Sequence, residues 1–341
     1  MAKILIVGCG AIGLELAGVL SAQGHDVTGL KRNPKASAPG RINYVTADIS
    51  SSADLADLDT DFTQAFFIVS PDGRNEQSYR AVYETGLNNL LARLPETHWL
   101  MVSSTSVYGQ SVGEWVDENS VAEPANITSR LIRRAEQTLM DLNPANIVVR
   151  FSGIYGPGRE YLLRLAMQIP AIQQSPPYFT NRIHQQDCVG VLSFLLEQRL
   201  AGKALAQCYL ASDDDPAPMW EVMTWLTDRL HCQPPTAKDG GHDCSRQSSA
   251  FPPSMEVRSV ATGTTAWMQE VEQRMEQLPR EPMRPTVKTV AADAGMNKRC
   301  SNTRLKALGY QFHYPSYKDG YLELTRSHAL RGNAVQARCA E

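Results

Sequence analysis

Gly8-Cys9-Gly10-Ala11-Ile12-Gly13 is the segment of this 341-residue chain with the most chemistry in its spacing. It follows the apolar run Lys3-Ile4-Leu5-Ile6-Val7 and precedes Leu14, Leu16, Ala17, Val19 and Leu20 at helical spacing. A strand, a glycine turn and a helix in that order can hold a pyrophosphate. Gly8 permits the tight turn, Gly10 lets the backbone approach the phosphates, and Gly13 lets the helix pack closely on the strand. The free N–H groups at Ala11 and Ile12 then stand at the positive end of the helix, where an anion is stabilised. The alternative is a glycine turn that packs a helix on a sheet and binds nothing. A second strand ends in Val27-Thr28-Gly29-Leu30-Lys31-Arg32. NAD binders place a carboxylate at this point against the ribose 2′-hydroxyl. Two cations suit a 2′-phosphate instead, so NADP is expected in preference to NAD. The competing view is a pair of exposed charges on a loop.

These residues need elements to position them. Strand-like runs at Ile4–Val7, Asp26–Leu30, Asn43–Val45, Ala65–Val69, Trp99–Ser103, Asn146–Phe151 and Cys208–Ala211 alternate with amphipathic stretches at Leu14–Ala22, Tyr79–Leu94, Ile127–Leu142 and Val189–Glu197. Regular alternation of this kind means a parallel sheet with helices on both faces. The expected fold class is α/β, a Rossmann-type doubly wound parallel sheet with a smaller C-terminal substrate lobe. Ligands of such sheets bind at the carboxyl ends of the strands. Gly8, Arg32, Ser70 and Ser103 fall there and are expected to line one crevice.

The sheet domain is expected over 1–165, completed by 184–212, with the substrate lobe formed by 166–183 and 213–326. A Pro216-Ala217-Pro218 turn opens a helix through Leu230. Between about 240 and 295, Gly-Gly, Ser-rich and Pro-rich stretches surround one expected helix, Trp267–Leu278. That composition has little apolar surface to bury, and an insertion without fixed structure is expected there, as is a loose tail over 327–341.

Composition narrows the partners. A formal net charge of -3 with interspersed signs offers no electrostatic footprint for nucleic acid or an anionic membrane surface. No run approaches the ~20 apolar residues of a membrane span. The seven cysteines are scattered, odd in number and without a Cys-x-x-Cys pair, which fits a reducing cytoplasm and neither a disulfide framework nor a zinc site.

Three later blocks join the glycine fingerprint: Ser103-Ser104-Thr105-Ser106-Val107-Tyr108-Gly109, Val149-Arg150-Phe151-Ser152-Gly153-Ile154-Tyr155-Gly156-Pro157-Gly158-Arg159, and Arg182-Ile183-His184-Gln185-Gln186-Asp187. In this order they resemble the extended short-chain dehydrogenase/reductase superfamily, in its NAD-dependent epimerase/dehydratase group. The resemblance implies a dinucleotide cofactor, a small-molecule substrate and, by analogy, a homodimer packed through the helices holding Leu87–Leu94 and Leu131–Leu139. It implies that Ser104 hydrogen-bonds the substrate oxygen and that Asp48 contacts the adenine, although Asp48 equally suits a turn cap. The family's Tyr-x-x-x-Lys pair is missing. Counted back from Glu136, which resembles the glutamate of that helix, the tyrosine position is Thr128 and the lysine position is Ile132. A threonine hydroxyl is too weak an acid to replace a tuned phenol, and isoleucine supplies no charge. Tyr108 and His184 are the remaining candidate proton donors, each with a structural alternative: Tyr108 matches a position that is usually structural, and His184 suits local packing. Arg130, Arg133 and Arg134 read most simply as a solvated helix face, the alternative being that Arg130 turns toward the crevice. Two functions follow, an NADP(H)-dependent oxidoreductase or isomerase on a small carbonyl or alcohol substrate, or a non-catalytic dinucleotide sensor.

Overall fold

Side chains that alternate along a strand must find apolar cover on both sides of the sheet, and the first strand sets that requirement. Ile4 and Ile6 pack with Leu16, Leu20, Phe66, Leu100 and Leu192, whereas Leu5 and Val7 pack with Phe67, Leu87, Leu90, Trp99 and Leu139. The result is a sheet between two helical layers, as expected from the alternation of elements. The computed structural model describes residues 1–33, 42–238 and 296–326. The expected insertion over 240–295, its helix Trp267–Leu278 and the tail beyond 326 lie outside the described residues.

The first half runs β1 (Lys3–Val7), α1 (Ala11–Ala22), β2 (Asp26–Lys31), β3 (Asn43–Thr46) and β4 (Gln64–Phe67). Helix α2 (Glu76–Arg80) passes through a π-helical segment, Ala81–Gly86, into α3 (Leu87–Arg93). Then come β5 (His98–Ser104), β6 (Glu114–Val116), α4 (Ile127–Leu142), β7 (Ile147–Phe151), β8 (Gly153–Tyr155) and α5 (Tyr161–Ala166). The remainder comprises β9 (Ala171–Gln173), β10 (Phe179–Thr180), β11 (Arg182–His184), α6 (Gln185–Leu200), β12 (Cys208–Ala211), β13 (Ala217–Pro218), α7 (Met219–Arg229), β14 (Thr236–Lys238), β15 (Lys298–Cys300) and α8 (Thr303–Ala307), before a last helical stretch over 317–326.

Seven strands form the main sheet in the order β12-β7-β5-β4-β1-β2-β3, every neighbouring pair parallel. The direction of winding reverses between β1 and β4, which opens a crevice at their carboxyl ends. A third apolar cluster lies outside the sheet, where Tyr155, Leu163, Val222, Met223, Leu226, Tyr317 and Tyr321 pack together.

Helices begin where a short polar side chain caps them. Asn75 Oδ1 accepts from the Ser78 amide at 2.9 Å and Asn126 Oδ1 from the Ser129 amide at 2.8 Å, each satisfying an otherwise orphaned donor. In the helices expected by analogy to pack between subunits, Leu87, Leu90 and Leu139 are fully buried in one apolar cluster with the sheet residues Phe67 and Trp99, and Leu131 is fully buried as well. Among the described residues, no helix is long and apolar enough to cross a membrane.

Candidate functional site

A cleft of about 450 Å³ opens at the β1/β4 switch point, walled by Gly8, Cys9 and Gly10 from the glycine turn, Lys31 and Arg32 from the end of β2, and Asp48 after β3. Ser70 and Asp72 close it from the loop after β4. The three glycines do different work. Gly8 has φ +99°, and a Cβ there would lie 2.4 Å from the Ile68 carbonyl oxygen. A Cβ on Gly13 would lie 2.2 Å from the Gly8 carbonyl oxygen, so α1 packs directly on the turn. A Cβ on Gly10 would meet nothing within 4 Å. That open face, beside the unpaired amides of the first turn of a twelve-residue helix, is where an anionic ligand has room. Ala11 is exposed at this end and Ile12 is buried beneath it. Burial pushes the Cys9 thiol up to about 11, against the opposing pull of Lys31, so Cys9 remains a thiol at neutral pH.

The two cations are not equivalent. Lys31 Nζ donates to the Cys9 carbonyl at 3.2 Å, which ties the end of β2 to the glycine turn. Arg32 makes a two-pronged pair with Asp72, Nη1 and Nη2 each 2.6 Å from a carboxylate oxygen. The partner holds the Asp72 carboxyl below its ordinary range and the Arg32 guanidinium above its own. Asp72 is a cleft residue that sequence reasoning missed, although Ser70, two positions earlier, is expected there and is found there. Asp48 does what its turn-cap alternative described, because its Oδ1 accepts from the amide and the hydroxyl of Ser50 at 2.9 and 2.7 Å, while the residue also forms part of the cleft wall.

Ser103 departs from the expected crevice position. It is 5% exposed, and its hydroxyl donates to Glu136 in the interior. Strand alternation is the reason: successive residues of β5 point to opposite faces of the sheet, and Ser104, on the other face, is not among the residues that wall the cleft. Ser104 is half-buried, its Oγ accepts from the Ser106 amide at 3.1 Å, and its own proton has no acceptor among the described residues. A substrate oxygen could take that proton in a hydrogen bond.

Tyr108 and His184, the alternative proton donors, are both held in structural positions. Tyr108 is 1% exposed, its hydroxyl donates to the Asp117 carbonyl at 2.7 Å and accepts from Arg150 Nη1 at 2.9 Å, and burial raises its ionisation far above the usual phenol range. It ends a chain in which Arg150 grips Glu136 through Nε and Nη2 at 2.9 and 2.7 Å. His184 caps α6, its Nδ1 accepting from the Gln186 amide at 3.3 Å, and its ring packs on Tyr155 and Tyr314. Burial lowers its pKa. On α4, Thr128 donates to Asn126 Oδ1 at 2.8 Å and Ile132 is 6% exposed within the apolar core, while Arg130 and Arg134 are exposed on the outer face. Among the described residues, no group of His, Cys, Asp and Glu is arranged to hold a metal ion.

Comparison with known proteins accounts for this arrangement. A solved structure from Methylobacillus flagellatus, described provisionally as an NAD-dependent epimerase/dehydratase, is 32% identical, covers 96% of this chain and 99% of its own, and superposes with a TM-score of 0.69. The chain belongs to the NAD-dependent epimerase/dehydratase family of extended short-chain dehydrogenases/reductases. Within the family, Escherichia coli YeeZ is 28% identical over 221 residues, 61% of this chain and 78% of that protein. The human epimerase family protein SDR39U1 is 29% identical over 206 residues, 56% of this chain and 68% of that protein. Its structure, solved with NADPH, shares the fold at a TM-score of 0.64 and 20% identity, covering 95% of this chain and 99% of its own. A model of pyridine nucleotide-disulphide oxidoreductases also matches residues 3–40, the segment that holds the glycine turn and both cations.

Proposed function

We propose that this epimerase/dehydratase family member binds a nicotinamide dinucleotide, NADP(H) in preference to NAD(H), along the carboxyl edge of the sheet and acts on a small carbonyl or alcohol substrate. The observation that carries the reading is the open face of Gly10 at the amino end of α1, with Lys31 and Arg32 on the same cleft wall. The residues fit the cofactor: the Ala11 and Ile12 amides and the bare Gly10 suit a pyrophosphate, Asp48 and Ser70 lie on the cleft's polar wall, and Lys31 and Arg32 suit a 2′-phosphate. SDR39U1 was solved with NADPH and other structures of the same fold with NAD, so the shared fold supports a nicotinamide dinucleotide, and the choice between the two rests on Lys31 and Arg32. When bound, the cofactor supplies or accepts a hydride.

This chain's own contribution to chemistry is then Ser104, which orients the substrate oxygen. With Tyr108 and His184 committed to the interior, and with Thr128 and Ile132 on α4, an oxidoreductase or isomerase here works with a proton source other than the family's Tyr/Lys pair. The same observation favours a second reading, a dinucleotide sensor without turnover. A substrate screen that follows NADPH absorbance, run with the native protein and with Ser104→Ala, separates them. Turnover lost in Ser104→Ala supports the enzyme; tight NADPH binding without turnover supports the sensor; turnover unaffected by Ser104→Ala removes Ser104 from the site.

A further inference from the structure

A second cavity of about 260 Å³ lies beyond the end of β7, between the sheet and the third apolar cluster. Ile154, Tyr155, Tyr161, Leu162, Met219 and Tyr321 supply its apolar wall. Tyr155 and Tyr321 are themselves stacked, with ring centroids 4.5 Å apart and planes 21° from parallel. The polar side chains that share the wall are engaged with the protein. Asn181 Nδ2 donates to the Lys298 carbonyl at 2.9 Å, and its Oδ1 accepts from the Cys300 amide at 2.8 Å. Thr180 Oγ1 donates to the Ala217 carbonyl at 3.1 Å and accepts from Arg182 Nη2. The Arg182 guanidinium lies 5.2 Å over the Tyr317 ring, and its Nε and Nη1 have essentially no accessible surface and no hydrogen-bond partner among the described residues, so these donors are turned away from the cavity. Arg159 is exposed, at the rim. A polar ligand group taken into this space would give up its hydration without a partner from these side chains, which is costly, whereas apolar surface gains by leaving water.

Size narrows the ligand further. A dry apolar cavity of ~150 Å³ holds benzene, and small-molecule pockets begin at roughly 300 Å³, so a volume of about 260 Å³ suits one ring with a short substituent and is too small for a nucleotide. Position supplies the link to chemistry. Gly153, on the cavity wall, follows by two residues Phe151, the register partner of Ser104 across β5 and β7. We propose that this cavity receives an aromatic ring of the substrate, with the alcohol or carbonyl substituent of that ring directed toward Ser104. Assigning the ring to a substrate rests on the dinucleotide-dependent reading above; binding of an aromatic ring in the cavity does not. The stacked Tyr155 and Tyr321 favour a ring over an aliphatic group of the same size, because ring pairs add an electrostatic preference to the burial of area.

Saturation-transfer NMR on the full chain tests this, with benzyl alcohol as the aromatic probe and myo-inositol as a polyol of similar size. The expected result is transfer to the ring protons of benzyl alcohol and none to myo-inositol. Cyclohexylmethanol, which lacks a π face, should bind roughly two- to tenfold more weakly than benzyl alcohol. Met219→Glu keeps the length of the side chain, stands in the first turn of α7 where a carboxylate is tolerated, and puts a charge on the wall, so it should weaken benzyl alcohol by about tenfold or more while the Tm stays near native. Leu162→Trp fills the space and should abolish the transfer. No transfer to benzyl alcohol with the native protein, equal transfer to myo-inositol, cyclohexylmethanol bound as tightly as benzyl alcohol, or a benzyl alcohol affinity unchanged in Met219→Glu overturns the proposal. NADPH titration of the same samples keeps the two readings apart: benzyl alcohol binding without NADPH binding overturns the dinucleotide reading alone, and the converse overturns only this inference.

Discussion

At the scale of single residues, the glycine turn separates binding from folding. Gly10→Val should fold with a Tm close to native, since a side chain there meets no protein atom, and should lose NADPH binding in a fluorescence titration because it fills the phosphate's approach. Gly13→Ala should do the reverse at first order: its methyl meets a backbone carbonyl at 2.2 Å, and overpacking of that kind costs about 1–3 kcal/mol, readable as a shifted urea midpoint. The Arg32–Asp72 pair bears on cofactor choice. It is an exposed pair, of a kind worth only about 0–1 kcal/mol, so a 2′-phosphate can displace Asp72 without a large penalty. Asp72→Asn should therefore tighten NADPH by roughly two- to fivefold and leave NADH unchanged, whereas Arg32→Asp should reverse the preference. Equal affinity of the native protein for NADPH and NADH would remove the role given to Arg32.

At the scale of elements, α4 is pinned to the sheet by the Ser103–Glu136–Arg150–Tyr108 chain. Removing one member of a buried pair strands the other, so Glu136→Ala should cost about 3–5 kcal/mol in chemical denaturation. Tyr108→Phe, which loses one donor and one acceptor, should cost about 1–3 kcal/mol and leave NADPH affinity intact. The same packing limits any attempt to install the family's Tyr/Lys pair at Thr128 and Ile132. Ile132 belongs to the apolar core, so Thr128→Tyr/Ile132→Lys should lower the Tm through a buried ammonium and should not gain turnover in the NADPH absorbance assay. A stable, active double variant would mean that the α4 surface faces the reacting groups after all.

At the scale of the whole molecule, pH stability and legibility both follow from what is buried. His184 has its folded pKa lowered by burial, so the unfolded chain binds its proton more readily; its contribution to stability is fully present above the unfolded value of about 6.5 and is lost as pH falls from there through the lower folded pKa. His184→Asn, which keeps a capping acceptor, should flatten this part of a Tm-against-pH curve. The sequence by itself determined the sheet and the glycine turn, because both rest on local rules: apolar runs flanked by helical periodicity, and glycines at positions where a Cβ would strike the neighbouring backbone. It determined α4 to the residue, since Asn126 caps it and the apolar stripe ends at Leu142. Only the tertiary structure decided what the polar residues at the strand ends do. Ser103 and Ser104 are adjacent in sequence but lie on opposite sides of β5; Tyr108 meets Arg150 across 42 positions; Arg32 meets Asp72 across 40. Arg182 is legible as part of a motif, yet its unpaired nitrogens emerge only when β11, β10 and the third cluster close around it. Hydrogen-bond partners and burial are set by contacts between distant segments, and a one-dimensional pattern carries periodicity and turn chemistry but not which distant group arrives at a given side chain.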